Sequence, residues 1–320
     1  MDAIVKQSPL FPEKFRDPIW TAKGERRASV GLRKLDTLWF NTGTLCNLAC
    51  ANCYIESSPT NNRLVYLTAA EVAAYLDEIE LLGWPVREIG FTGGEPFMNP
   101  DTIDMIDMCL MRGYSVLVLT NAMRPMEKVA DRLAAVRDKH GNSRLAIRVS
   151  IDHYTQAIHE RERGPRAWRP MIDGLKWLTG NGFTVHAAGR IFDGEPESAL
   201  RAGYARLFTG QGIAIDAYDP RQLVLFPEID DVADVPEITT ECWDILGIHP
   251  GDMMCATSRM VVKREGAGRP TVVACTLLPY DQRFEMGDTL AQANRTVSLN
   301  HAHCAQFCVL GGGSCSAAGS

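Results

Sequence analysis

From about residue 37, short apolar runs alternate with stretches whose apolar positions recur every three or four residues. "TLWFNTG" reads as a first strand and "LTAAEVAAYLDEIELLG" as the helix after it. In that helix Val72, Tyr75, Leu76, Ile79 and Leu82 form one apolar face, and Thr68 with Glu71 has capping-box spacing at the start. "REIGFTGG" is a second strand running into a glycine-rich turn, followed by a helix in "PDTIDMIDMCLMRGY". "SVLVLTNA", "RLAIRVSID" and "FTVHAAGRI" continue the strands, with helices in "PMEKVADRLAAVRDKHG", "RPMIDGLKWLTGNG" and "ESALRAGYARLFTGQG". A sixth strand falls within "IAIDAYDPRQLVLF".

Strands alternating with helices of this length predict parallel βαβ units with right-handed crossovers. Six units reach about residue 226, two short of a closed eightfold barrel. The acidic, proline-containing "PEIDDVADVPE" then reads as a linker, and beyond it come short strands and turns rich in Cys and Gly. The expected fold is therefore α/β, a partial (β/α)6 TIM-like barrel with a small Cys-rich C-terminal domain. Its expected divisions are an extension over 1–36, the barrel over 37–235 and the Cys-rich domain over 236–320.

An apolar share of 46% against 22% charged residues supplies a sizeable core. A net charge of −6 and a pI of about 5.7 give a nucleic-acid partner no electrostatic support. The first residues lack the basic and apolar regions of a signal peptide, and no run approaches the roughly 18 apolar residues of a membrane span. The expectation is a cytoplasmic protein without a membrane partner.

Ten cysteines in such a chain need a reason. In a reducing cytosol clustered thiols more often serve metal or redox chemistry than disulfides. Cys46, Cys50 and Cys53 form C-x3-C-x2-C within "TGTLCNLACANCY". Cys255, Cys275, Cys304, Cys308 and Cys315 lie in the last quarter, while Cys109 and Cys242 stand alone and read as small core hydrophobes. The triplet directly follows the first strand, where parallel α/β sheets bind ligands. Thiolates favour zinc or iron–sulfur clusters over hard cations. Three protein ligands leave a coordination position open, as chemistry on a bound molecule requires; a structural zinc completed by a remote ligand is the alternative.

The triplet followed by Tyr54, on the first loop of a six-unit α/β chain, resembles the radical S-adenosylmethionine (radical SAM) enzymes. In that family three cysteines bind three irons of a 4Fe-4S cluster, and S-adenosylmethionine chelates the fourth through its amino and carboxylate groups. The resemblance implies reductive cleavage of the sulfonium to methionine and a 5′-deoxyadenosyl radical, which abstracts hydrogen from substrate. Further motifs stand at strand ends in the family's order. Gly93, Gly94, Glu95 and Pro96 of "TGGEP" resemble the motif that holds the cofactor's amino group, since glycines admit close main-chain approach and Glu95 can pair an ammonium. Thr120 and Asn121 resemble the family's Thr-Asn-Gly. Ser150 and Asp152 match positions that commonly reach the ribose and methionine portions, and Arg190 can meet a carboxylate.

Near the C-terminus, Cys255 and Cys275 bracket a hairpin with "EGAGRP" at its turn. Cys304, Cys308 and Cys315 follow, with "GGG" letting the chain wrap tightly. So little apolar material makes a metal cluster a fitting core. This segment resembles the SPASM or twitch extension of radical SAM enzymes, which implies an auxiliary 4Fe-4S cluster. The preferred ligands are Cys255, Cys275, Cys308 and Cys315, with Cys304 able to replace any of them. A zinc knuckle is the alternative, and it would recruit His301 or His303, otherwise solvated loop residues.

Within "DHYTQAIHERERGPRAW", Asp152, Arg163 and Gly164 match a run carried by members with peptide or small-molecule substrates; a solvated helix is the plainer reading of its charge. Tyr280 and Asp281 lie beside an expected cluster ligand, where a general base would collect a substrate proton. The resemblance implies a small-molecule or peptide substrate, an electron donor such as flavodoxin or ferredoxin, and an outcome of oxidation, crosslinking or epimerisation. About 36 residues precede the first strand, too few for a winged-helix leader-peptide domain. A non-catalytic zinc or iron–sulfur carrier is the remaining alternative, and it has no use for "TGGEP".

Overall fold

The expected strands assemble into one sheet. In the computed structural model, residues 13–192, 194–230 and 232–314 are described. After a short strand β1 (Ser29–Val30) come β2 (Thr37–Asn41), α1 (Ala69–Leu82), β3 (Glu88–Thr92), α2 (Thr102–Met111), β4 (Ser115–Thr120), α3 (Arg124–Glu127) and α4 (Ala130–His140). Then follow β5 (Leu145–Asp152), α5 (Gln156–Arg163), α6 (Trp168–Gly180), β6 (Thr184–Ile191), α7 (Glu197–Gln211) and β7 (Leu223–Pro227). The chain continues through α8 (Cys242–Leu246), β8 (Ser258–Val262), β9 (Thr271–Val273), β10 (Glu285–Gly287) and β11 (Val297–Ser298).

Strands β2 to β7 lie side by side in sequence order, every neighbouring pair parallel, as in a partial barrel. Their apolar residues, among them Phe40, Phe91, Val118 and Ile147, are buried against the helices. Trp39 also fills the interior: a Cβ on Gly90 of the neighbouring strand would come within 2.3 Å of its ring. Helix α1 begins at the expected capping box, with the Glu71 N–H donating to the Thr68 hydroxyl at 3.2 Å and the Thr68 N–H to the Glu71 carboxylate at 2.9 Å. Gly83 closes it in the left-handed region, φ 63°.

Two features depart from the sequence reading. The expected helix over "PMEKVADRLAAVRDKHG" is two, α3 and α4, interrupted at Lys128 and Val129. The hairpin β8–β9 continues the barrel sheet rather than forming one of its own. β8 pairs parallel with β2, and β9 and β10 add on antiparallel, giving 9 strands in the order β10-β9-β8-β2-β3-β4-β5-β6-β7. Lys263, just past β8, ties this edge to α1 through the capping Glu71, Nζ to Oε1 2.6 Å.

The chain ends also join. β1 pairs antiparallel with β11, and the segment read as a linker runs beside residues 26–28 through bonds between Ala28 and Ile238 and between Thr240 and Arg26. Arg27 is buried there, paired to Glu237 at 2.5 Å and donating to the carbonyls of Asp17 and Trp20. Val235 and Ile238 are buried, so this part of the chain packs against the N-terminal segment, while Glu228, Asp230 and Asp234 stay exposed. Among the described residues no helix is long and apolar enough to cross a membrane.

Removing one member of a buried ion pair strands the other, at a cost of about 3–5 kcal/mol. Arg27→Ala is therefore expected to lower unfolding stability by about that amount, read from denaturant midpoints. A change below about 1 kcal/mol would mean that the N-terminal segment does not depend on this anchor.

Candidate active site

The C-terminal ends of β2 to β6 open onto one cavity of about 180 Å³, and Cys46, Cys50 and Cys53 all line it. Gly93, Gly94, Thr120, Asn121, Ser150, Asp152, Arg190 and Tyr54 share the wall, so nearly every residue expected at the cofactor is gathered there. The cysteine loop is shaped by its own backbone. The Leu48 N–H donates to Cys46 Sγ at 3.4 Å and the Ser57 N–H to Cys53 Sγ at 3.3 Å. Burial pushes the Cys46 thiol up to about 12 and raises Cys50 as well, where nearby Arg163 pulls the other way.

The "TGGEP" turn packs directly on this loop. Gly93 has φ +137°, and a Cβ there would meet the Gly43 carbonyl at 2.5 Å. At Gly94 a Cβ would meet the Leu45 carbonyl at 2.2 Å. Gly94 and Glu95 N–H groups donate to the carbonyls of Gly43 and Leu45 at 2.8 and 3.1 Å. The glycines are thus required by the neighbouring cysteine loop itself.

Glu95 does not line the cavity. Its carboxylate is fully buried and accepts from the Thr120 hydroxyl at 2.8 and 3.0 Å, the Asn121 N–H at 2.9 Å and the Phe97 N–H at 3.2 Å. Burial raises its pKa to about 7 against those donors. It joins the "TGGEP" turn to the turn after β4, whereas the sequence reading aimed it at an ammonium. Pro96 is buried behind it, at the start of the short 3-10 turn Pro96–Met98. Asn121, so held, reaches Asn47 of the cysteine loop at 2.9 Å through its amide.

The charged run after β5 is a helix, α5, but its end is not solvated. Arg163 pairs with Asp152 at 2.8 Å and lines the cavity, and Arg190 approaches the same carboxylate at 3.3 Å. Burial works to raise the Asp152 pKa, and these two guanidinium groups outweigh it and hold the carboxyl below its ordinary value. Arg190 also donates to the Asn52 carbonyl at 2.5 Å and stacks 4.9 Å from the Tyr54 ring centre; its Nη1 is buried without a protein partner. From the other side Glu162 accepts from the Asn52 amide at 2.9 Å, and its carbonyl accepts from the Ala51 N–H at 2.7 Å. The two residues after Cys50 are thereby gripped by α5 and β6 together. Sequence reasoning missed Glu162 and Asn52; the only available signal was that Glu162 sits next to Arg163.

Tyr280 and Asp281 do not line this cavity. The Tyr280 hydroxyl donates to the Ile55 carbonyl at 2.8 Å under a guanidinium from Arg63, 3.6 Å from the ring centre. Asp281 accepts from Arg283 Nε at 3.0 Å and Nη2 at 2.5 Å. Both are engaged in holding the chain. Cys109 is buried on α2 as expected, but Cys242 is only half-buried.

A second, smaller space of about 20 Å³ lies in the C-terminal segment, lined by Cys255, Cys275, Cys304 and Cys308 with His303. Cys255 stands just before β8, Cys275 just after β9, and Cys304 and Cys308 on a π-helical segment, Cys304–Leu310. Burial pushes the Cys255 thiol up to about 11 and raises the Cys304 thiol as well. Cys315 lies outside the described residues. His301 and His303 are half-buried, their ring centres 4.5 Å apart. Among the described residues no three His, Cys, Asp or Glu side chains close on a point where a single ion would sit. In both places the thiols border a space.

The family description "Radical SAM superfamily" matches residues 40–202, which carry the cysteine loop and the turns after β3, β4 and β5. The chain belongs to the radical SAM superfamily. Enzymes of this superfamily bind a 4Fe-4S cluster and S-adenosylmethionine, and soft thiols around a roomy cavity with a buried, unpartnered guanidinium nitrogen suit both. Among curated relatives, this radical SAM chain is 27% identical over 149 residues to the antilisterial bacteriocin subtilosin biosynthesis protein AlbA of Bacillus subtilis. That match covers 46% of this chain and 31% of AlbA. It is 28% identical over 157 residues to the mycofactocin maturase MftC of Mycobacterium ulcerans, covering 46% of this chain and 40% of MftC. The matches thus span well under half of those relatives' lengths. A GTP 3′,8-cyclase of Rhodococcus opacus is 40% identical over 130 residues, 38% of this chain and 34% of the cyclase. Among solved structures, Streptococcus suis SuiB bound to precursor peptide SuiA superposes with TM-score 0.59 at 11% identity, over 83% of this chain and 66% of SuiB. His-tagged anSMEcpe with bound AdoMet gives 0.56 at 13%, over 83% and 78%. At such identities these likenesses speak for the fold.

Glu95→Ala distinguishes a brace from a ligand. It leaves three buried donors without their acceptor, so unfolding stability is expected to fall by about 3 kcal/mol by denaturant titration. Full stability with lost S-adenosylmethionine binding would instead make Glu95 a direct contact.

Proposed function

We propose that this chain is a radical SAM peptide-modifying enzyme, with Cys46, Cys50 and Cys53 as ligands of the catalytic 4Fe-4S cluster and the adjoining cavity as the S-adenosylmethionine site. The observation that carries this reading is the convergence of the three thiols with the turns after β3, β4 and β5 on one cavity. When bound, the cluster supplies the electron that cleaves S-adenosylmethionine to the hydrogen-abstracting 5′-deoxyadenosyl radical. The protein's residues supply position and charge. Gly93 and Gly94 offer main chain at the wall, and Tyr54 offers an aromatic face. Arg163 and Arg190 bring two positive charges against the single negative charge of Asp152, a surplus that favours a carboxylate, and the buried Nη1 of Arg190 has a bond left to give. Ser150 lines the wall with a hydroxyl for the cofactor's polar groups. Leu119, Ala188, Phe226 and Leu277 keep the space apolar and exclude water from a reactive radical.

Cys255, Cys275, Cys304 and Cys308 are assigned to an auxiliary 4Fe-4S cluster. Four thiols in a mostly apolar surround suit an iron–sulfur cluster, with His303 also at the wall. This set contains Cys304, which the sequence reading held in reserve. A peptide substrate is favoured by relatives named for bacteriocin biosynthesis and mycofactocin maturation. A small-molecule substrate is the second reading, supported by the higher identity to the GTP 3′,8-cyclase.

The protein reconstituted anaerobically with iron and sulfide, then given dithionite and S-adenosylmethionine, is expected to form 5′-deoxyadenosine well above a Cys50→Ala control. Equal yields would overturn the enzymatic reading. Replacing Cys46, Cys50 and Cys53 together is expected to leave about four irons per chain; zinc in their place would refute the auxiliary cluster. A short peptide encoded beside this chain is expected to raise the yield and change in mass, whereas a mass change confined to small molecules would favour the second reading.

A further inference from the structure

Arg259, on β8, is completely buried, and the groups that receive its hydrogen bonds are all neutral. Nε donates to the Ala293 carbonyl at 3.1 Å, Nη2 to that of Arg295 at 3.0 Å, and Nη1 to those of Cys255 and Ser258 at 2.5 and 2.8 Å. By contrast Arg27, also buried, has Glu237, and Arg163 and Arg190 share Asp152. Among the described residues no carboxylate forms an ion pair with Arg259. The ionisable groups that favour its charge are the thiols of Cys255 and Cys275, two of the four that line the C-terminal cavity. A guanidinium keeps its charge at neutral pH. A buried cation without a counter-ion is unfavourable, and a site lined by thiolates supplies the missing negative charge.

We propose that Arg259 is the built-in counter-charge of the C-terminal thiolate site and that it raises the reduction potential of the cluster held there. The proposal rests on the auxiliary-cluster reading above. Reduction adds one electron, and so one negative charge, to a water-poor space; a fixed cation beside it favours the reduced form. The hydrogen bond from Nη1 to the carbonyl of Cys255 fixes that charge relative to one ligand of the set. Arg259 is a positioning residue, acting on the site through its field and through the main chain of Cys255.

The test uses the full chain with Cys46, Cys50 and Cys53 replaced by Ala, so that only the C-terminal site takes iron. Its midpoint potential is measured by dithionite titration followed by electron paramagnetic resonance. Arg259→Met is expected to disfavour reduction about tenfold, a drop of about 59 mV for one electron. A Met variant with full iron content and an unchanged midpoint would overturn the proposal. Should that variant fail to fold, Arg259→Lys reads the same question, because it keeps the charge and gives up most of the fork of bonds. The Lys protein is expected to stay within threefold of the parent equilibrium, and a tenfold drop there would likewise overturn the assignment of the effect to charge. Absence of iron from the parent carrying Arg259 would overturn the cluster reading itself, and is recognised by its preceding any substitution at Arg259.

Discussion

Gly94 lies so close to the Leu45 carbonyl that a Cβ would come within 2.2 Å, and that approach of two backbones organises the mouth of the barrel. It lets the turn after β3 hydrogen-bond along the cysteine loop, through Gly94 and Glu95 to Gly43 and Leu45. Asn99 adds its amide to the carbonyls of Thr42 and Leu67, at 3.1 and 2.8 Å. From that stacked pair, Glu95 carries the order onward to Thr120 and Asn121, and Asn121 returns it to Asn47. Three successive strand ends are locked around the loop that bears the thiols. A site that must hold cluster and cofactor in fixed relation needs such rigidity, since proximity effects vanish with small misplacements.

Charge completes what packing begins. Burial disfavours the ionised form of Cys46 and Cys50, and Arg163 opposes that beside Cys50. Asp152 keeps Arg163 and Arg190 in place, and with φ +58° at the end of β5 it occupies the left-handed region that side chains seldom adopt. Strain of this kind is tolerated where surrounding contacts over-determine it, and here two guanidinium groups do so.

The C-terminal segment is structurally part of the barrel. β8 adds to the free edge of β2, so the strand that leads into the cysteine loop is flanked by β3 on one side and by the hairpin carrying the second thiol group on the other. Cys275, Thr276 and Leu277 then form a partition: Thr276 and Leu277 line the large cavity, while Cys275 and Leu277 line the small one. The two cavities thus share Leu277 in their walls.

The strand and helix order, the capping box of α1, the hairpin and most residues that line the large cavity were legible in the sequence, because each depends on local periodicity or on a motif a few residues long. The direction in which a side chain points was not legible. Glu95 stands in the motif beside Gly94, yet its carboxylate turns to Thr120 because the turn after β4 passes on that side. Glu162 and Asn52 are far apart in the chain and meet only when α5 folds under the cysteine loop. Arg259 reads as an ordinary strand residue; burial among four carbonyls, with two thiols as the acidic groups near it, appears only once β8 lies against β2. The sequence alone determined which chemical groups would be present and at which strand ends. Tertiary structure decided which of them face the cavity and which brace it, since burial and counter-charge arise from contacts between segments remote in the chain.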